Sequence, residues 1–249
     1  MVTNKAYQWF PKNETAYYNF PVSILEGFIN RPRKTFDKML SWASYEYMKK
    51  VRDKYGDAMP VRQLVRTAED FLGFECKSDA YEYYQRSGEV YLKYKGARTG
   101  ISRRLFWEIR GSRNISEPDK VALLAYLAAK SILGRKTHCK TNDLFLFARM
   151  VGRDKAFCDE KELKKECGGA LSGYFTRRKR DTIRRRLAED FGMAVYSYHQ
   201  RGYYISTKME LKQLILAVEK NRKCGAEAYK KKVSEVRNMV LDRLGKKPP

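Results

Sequence analysis

The chain has 249 residues, 43% of them hydrophobic and 13% aromatic, enough for one large or two ordinary cores, so wholesale disorder is excluded. Its formal charge of +23 and pI near 9.8 cost stability through self-repulsion and point to a polyanionic partner. No apolar run approaches the roughly 18 residues that suggest a membrane span, and Met1-Val2-Thr3-Asn4-Lys5 lacks the apolar core of a signal peptide, so no membrane partner is expected.

The charge is uneven. Residues 1–118 hold 21 Lys/Arg against 14 Asp/Glu, and residues 119–249 hold 31 against 15, so the second half is the expected nucleic-acid module. Five cysteines (Cys76, Cys139, Cys158, Cys167 and Cys224) suggest no disulfide framework and fit a reducing, cytoplasmic compartment.

In chain order, residues 1–20 read as an extended arm or first strand, with Trp9-Phe10-Pro11 and Tyr17-Tyr18-Asn19-Phe20-Pro21. The spacing of Val22, Leu25, Phe28 and Ile29 predicts a helix to about Asn30. A second runs from Thr35 to Lys54 through Phe36, Met39, Leu40, Ala43 and Tyr47, and Tyr55-Gly56-Asp57 stops it. Pro60 opens a third through Leu64, Val65, Ala68, Phe71 and Leu72. Across 79–113 the pattern is irregular: Tyr81, Tyr83, Tyr84, Tyr91 and Tyr94 mingle with Lys93, Lys95 and Arg98 before a short helix around Leu105-Phe106-Trp107. Such a mixture suits a stacking platform for bases, but its irregular spacing favours tyrosines filling the edge of a helical core with wet hydroxyls. Ser116-Glu117-Pro118-Asp119 is a strong helix start, with a cap, a first-turn proline and acids at the positive dipole end. The helix it opens is Ala/Leu-rich, buried on most sides, and ends at Gly134. The domain boundary is placed between about Gly111 and Pro118, giving a helical, aromatic-rich domain over 1–115.

The densest charge lies at 177–191. Seven of its first ten residues are basic and one is acidic, while Ile183, Leu187 and Phe191 recur every four positions, so one helix face is apolar and arginines ring the rest. A hairpin follows: Met193 to Tyr198, a turn at His199-Gln200-Arg201-Gly202, then Tyr203 to Ser206. Like charges at i, i+4 repel, which argues against a purely structural role for the run. Lys208 to Asn221 and Ala226 to Leu244 read as C-terminal helices with apolar stripes at Leu211, Leu214, Ile215 and Val218, then Val233, Val236, Val240 and Leu244. The stripes suit either packing onto the same domain or a homodimer.

From Asp119 onward the order of elements resembles a winged helix-turn-helix domain, and its ending, Ile183 to Ser206, is similar to those of small phage and mobile-element DNA-binding proteins. The resemblance implies a mainly α fold: a helical N-terminal domain, then a winged helix over 116–207 with a small β-hairpin wing, then C-terminal helices over 208–249. Within it Lys136 to Lys140 would be the first short strand, Thr141 or Asn142 would cap a second helix from Asp143 to Met150, and residues 176–191 would be the recognition helix. Family members join the second and third helices by a short turn, whereas here about 152–175 intervene, with a helical piece at Asp159 to Glu166. The recognition helix of such a domain lies in the major groove. With Ile183, Leu187 and Phe191 inward, Arg178, Thr182 and Arg185 point out along one line, flanked by Asp181 and Arg186, and arginine can grip guanine bidentately. Arg177, Lys179, Arg180 and Arg184 would sit nearer the phosphates, and Arg201 at the wing tip would enter the minor groove or touch phosphate.

Enzymatic signatures are missing. His138 and His199 form no metal-binding pair, no P-loop is present, and the adjacent acids Glu69-Asp70 and Glu189-Asp190 point apart on a helix. His138, Cys139, Cys158 and Cys167 lack zinc-site spacing, so no metal or other cofactor is expected. The expectation is a non-enzymatic protein binding double-stranded DNA, a regulator or replication accessory of a phage or mobile element, with a plasmid-type replication initiator as a variant. The alternative is an RNA- or ribonucleoprotein-binding factor, such as a phage inhibitor of a nucleic-acid-guided host defence. In that case Tyr91, Tyr94, Arg103, Arg104 and Trp107 would share the contact.

Overall fold

The computed structural model describes residues 17–56, 59–112, 115–167, 169, 171–197 and 202–245. β1 (Tyr17–Pro21) pairs antiparallel with β2 (Arg98–Ser102), Asn19 opposite Gly100. Strand alternation turns Tyr18 and Phe20 inward. The Tyr18 hydroxyl donates to the Leu72 carbonyl and accepts from Trp107 Nε1 at 2.9 Å. The helix expected from Val22 to Asn30 is instead one 3-10 turn, Val22–Leu25. Val22 N–H still donates to Ala97 O (2.8 Å), prolonging the strand pairing, and Gly27 at φ 74° turns the chain away from helical geometry. Val22, Ile24, Leu25 and Phe28 are nevertheless all buried, so the apolar spacing marked a core segment of a different conformation.

α1 (Pro32–Tyr55), with proline in its first turn and Gly56 at its end, packs against α2 (Val61–Leu72) and α3 (Ala80–Lys93). Asp79 caps α3 by accepting from Tyr81 and Glu82 N–H. The tyrosines of α3 form its seam with α1. Tyr84 and Tyr91 lie against Tyr45 at 5.3 and 5.1 Å, and Tyr83 donates to Ser44 Oγ at 2.9 Å with burial pushing its hydroxyl up to about 12. α4 (Arg103–Gly111), capped by Ser102, follows β2 directly.

α5 (Glu117–Leu133) is the central helix. Ser116 caps it, and Ala, Leu and Val bury nearly every side. It packs against β2 on one side and, on the other, against α6 (Asp143–Met150), α8 (Arg177–Glu189) and the second sheet. One apolar core therefore runs from Tyr18, Phe36 and Phe106 through Leu123 and Leu127 to Phe147, Ile183, Leu187 and Ile205, across the 111–118 connection. Thr99 Oγ1 donating to Leu127 O (2.6 Å) and Lys130 Nζ donating to Gly100 O (2.8 Å) fasten the same join.

β3 is Cys139–Thr141, shorter and later than Lys136 to Lys140, because only these residues find a partner strand in β5 (Tyr203–Ser206). α6 (Asp143–Met150) is capped by Asn142, α7 (Glu160–Glu166) by Asp159 and α8 (Arg177–Glu189) by Thr176. β4 (Ala194–Ser197) and β5 (Tyr203–Ser206) complete an antiparallel sheet of order β3-β5-β4. Gly202, at φ 118°, sits where a Cβ would collide with the Thr141 carbonyl. The two C-terminal stretches form one helix, α9 (Leu211–Gly245), whose Leu214 and Val218 are buried with Ala194. The fold is thus mainly helical, with one two-stranded and one three-stranded antiparallel sheet set among the helices. Among the described residues no helix is long and apolar enough to cross a membrane.

Candidate nucleic-acid interface

α8 is oriented by its apolar face. Ile183 and Leu187 are buried, and just past the helix Phe191 stacks on Tyr126 of α5 at 4.4 Å. Thr176 Oγ1 accepts from Lys179 N–H at 3.4 Å, and Met193 N–H donates to Leu187 O at 3.0 Å, so both ends are closed before the hairpin begins.

That orientation divides the basic residues into two sets. Arg180 lies against α6 and α7, its side chain 14% exposed. Its Nη1 and Nη2 donate to the two Glu160 oxygens at 2.7 Å each, Asp143 stands 3.5 Å away, and the guanidinium lies over Phe147. Arg184, 19% exposed, donates to Asp143 (2.7 Å) and Asp181 (2.6 Å) above the Tyr203 ring. Arg186, 23% exposed, donates to Asp119 (2.7 Å) and Asp190 (2.6 Å). These arginines are neutralised within the protein, and the Arg180 bonds hold the Glu160 carboxyl below its ordinary range. Gripping phosphate would require them to give up charge-assisted hydrogen bonds in a half-buried setting, which opposes the phosphate role expected of Arg180 and Arg184.

Arg177, Arg178, Lys179 and Arg185 are exposed. Among the described residues no acid pairs with Arg177, Arg178 or Lys179, and Arg185 has only Glu189 at 3.8 Å with both side chains mostly in solvent. Lys179 lies over the Tyr174 ring at 5.7 Å. Thr182, half-buried, donates to Arg178 O at 3.0 Å. Arg178, Thr182 and Arg185 share the face opposite Ile183, as the helical period requires. Arg201 falls outside the described residues, as does the turn that carries it.

The counter-acids were not nominated from the sequence. Asp143, Glu160 and Asp119 each sit in the first turn of a helix (α6, α7 and α5), where the dipole favours an anion. An acid at each neighbouring cap was the available signal. Beneath them the Tyr203 hydroxyl and Thr141 Oγ1 are buried without a hydrogen-bond partner, and burial raises the Tyr203 hydroxyl well above its ordinary range.

The residues considered for the first half are placed differently. Arg103 is buried, Trp107 donates to Tyr18, and Tyr91 packs on Trp42 and Tyr45, which leaves Arg104 exposed and Tyr94 half-buried between Lys38 and Lys93. Cys76, Cys139, Cys158 and Cys167 are free thiols, and burial pushes that of Cys167 up to about 11. Among the described residues no group of three or more His, Cys, Asp or Glu could hold a metal ion. Comparison with protein-family models, with curated proteins and with solved structures finds no match.

Proposed function

We propose that the protein is a non-enzymatic, cytoplasmic binder of double-stranded DNA that reads the major groove with the outer face of α8. The observation that carries this reading is the sorting of charge on α8: flanking arginines are neutralised by acids of neighbouring helices, while Arg177, Arg178, Lys179 and Arg185 face solvent with Thr182 between them. A helix built only to be solvated has no need of that division. Arg178 and Arg185 can present guanidinium forks to guanine edges, and Arg177 and Lys179 at the first turn suit phosphates beside the groove. The winged-helix order of elements supports the same docking. A role as regulator or replication accessory of a phage or mobile element rests on the resemblance of the Ile183 to Ser206 segment.

The test compares duplex DNA, single-stranded DNA and structured RNA at two salt concentrations, after recovery of bound sequences from genomic DNA. Nonspecific phosphate binding falls steeply with salt, so a retained preference for one duplex sequence at the higher salt is the expected result. Loss of all duplex preference while RNA or ribonucleoprotein binding survives would overturn it.

A further inference from the structure

The segment between α6 and α8 is fixed to both of them. Glu160 holds Arg180 of α8 through two 2.7 Å bonds. Glu162 accepts from Cys158 N–H (2.7 Å) and, with Glu166, grips Arg153 at 2.8 and 2.7 Å. Asp154 accepts from Ala97 N–H and pairs with Arg149, and Leu163 and Cys167 are buried. α7 therefore has one rotational setting. At about 100° per residue, Glu160 and Lys164 lie on the flank beside α8, Glu162 and Glu166 on the opposite flank, and Lys161 and Lys165 outward. Lys164 is near enough to join Arg180 in lowering the Glu160 carboxyl.

The three acids of α7 are thus all bonded to arginines of the protein, and its three lysines, Lys161, Lys164 and Lys165, are all exposed and form no salt bridge among the described residues. On a helix that only separates water from a core, Glu160 and Lys164, its one Glu–Lys pair at i, i+4, would bridge each other. Here the pairing has been diverted, and the outer face keeps its full positive charge. It does so next to the first turn of α8, because the Arg180–Glu160 clamp joins the two helices.

We infer that α7 is a second phosphate-contacting surface, on which Lys161, Lys164 and Lys165 hold the backbone of the duplex flanking the segment under α8. This rests on the duplex-binding reading above. α7 is seven residues, about 10 Å long, which matches the rise of about three nucleotides of one strand. Lysine is a compact point charge without a bidentate fork, so this surface adds affinity and register and leaves sequence choice to α8.

The decisive experiment measures duplex affinity against salt, together with a hydroxyl-radical footprint, for the wild type and three variants. These are K161A/K164A/K165A, the α8 variant R177A/R178A, and K49A/K50A/K54A, which removes equal charge from the far end of α1. Each neutralised phosphate contributes about 0.9 to the slope of log affinity on log salt. The α7 variant should lose about two to three from that slope and about three nucleotides of protection on one side, with the ranking of sequences and the melting temperature unchanged. The α1 variant should keep the wild-type slope. A wild-type slope and footprint in the α7 variant, or an equal loss in the α1 variant, overturns the inference while R177A/R178A still reports on α8. Absence of duplex binding by the wild type overturns the underlying reading as well, and is distinguishable because every variant is then silent.

Discussion

Residues 81–110 and α8 each carry seven lysines and arginines. Their cations meet different surroundings. In the first region an aromatic ring and a carboxylate together hold the arginines: Arg110 lies over Trp107 and pairs with Asp37, and Arg98 lies over Trp42 and pairs with Glu46. In α8 the cations on the flanks are held by acids of neighbouring helices, while those on the outer face have no ion pair among the described residues shorter than the 3.8 Å between Arg185 and Glu189. Positive charge alone therefore does not locate an interface. The cations that matter are those the fold leaves without an internal counter-charge.

The largest effect that sharpens this contrast is expected in the first region. Trp107→Ala removes a half-buried ring and the donor to Tyr18, and should cost about 3 kcal/mol of stability with DNA affinity unchanged below the melting range. Thermal melts and binding on one preparation check both. On α8 the pattern reverses. Arg178→Ala should leave melting unaltered and weaken cognate binding by about 1–3 kcal/mol while relaxing sequence preference; an unchanged preference would reduce α8 to a charged surface. Asp143→Ala lies between, since it strips a shared counter-ion from Arg180 and Arg184. A loss of about 1–2 kcal/mol in stability is expected from urea titration.

The smallest effect is a tilt with pH. Burial pushes the Lys130 ammonium down to about 8, while it titrates near 10.5 in the unfolded chain. Between those values the unfolded state binds more protons, so this group makes stability rise with pH from about 8 to about 10. Lys130→Met should flatten that rise relative to wild type, and parallel curves for the two proteins would show that Lys130 is not responsible.

Much of this was readable in the residues themselves. Periodicity located α1, α2 and α8, the Ser116 start signal located α5, and the winged-helix resemblance placed α6, with its cap at Thr141 or Asn142; the structure has Ser116 and Asn142 as the caps. What escaped was non-local. β2 carries Gly100 at its centre and is a strand only because β1, some eighty residues earlier, lies beside it. Residues 222–225 read as a break between two C-terminal helices, yet one glycine inside a helix costs only about 1 kcal/mol, and α9 runs through it. The outward line of Arg178, Thr182 and Arg185 followed from the apolar period of α8. The fate of Arg180 and Arg184 did not, because it depends on acids 20 to 41 positions away.

The core that crosses from Phe36 and Phe106 through α5 to Ile183 and Leu187 has a mechanical consequence. The helix that carries the exposed arginines has no independent seat: α5 is at once its floor and the wall of the aromatic half. Cutting the chain near residue 115 would strip an apolar wall from each fragment, and a disturbance at the β2–α5 join, where Thr99 and Lys130 are fastened, bears on the footing of α8. The two halves are mortared together, and the outer face of α8 is only as rigid as that joint.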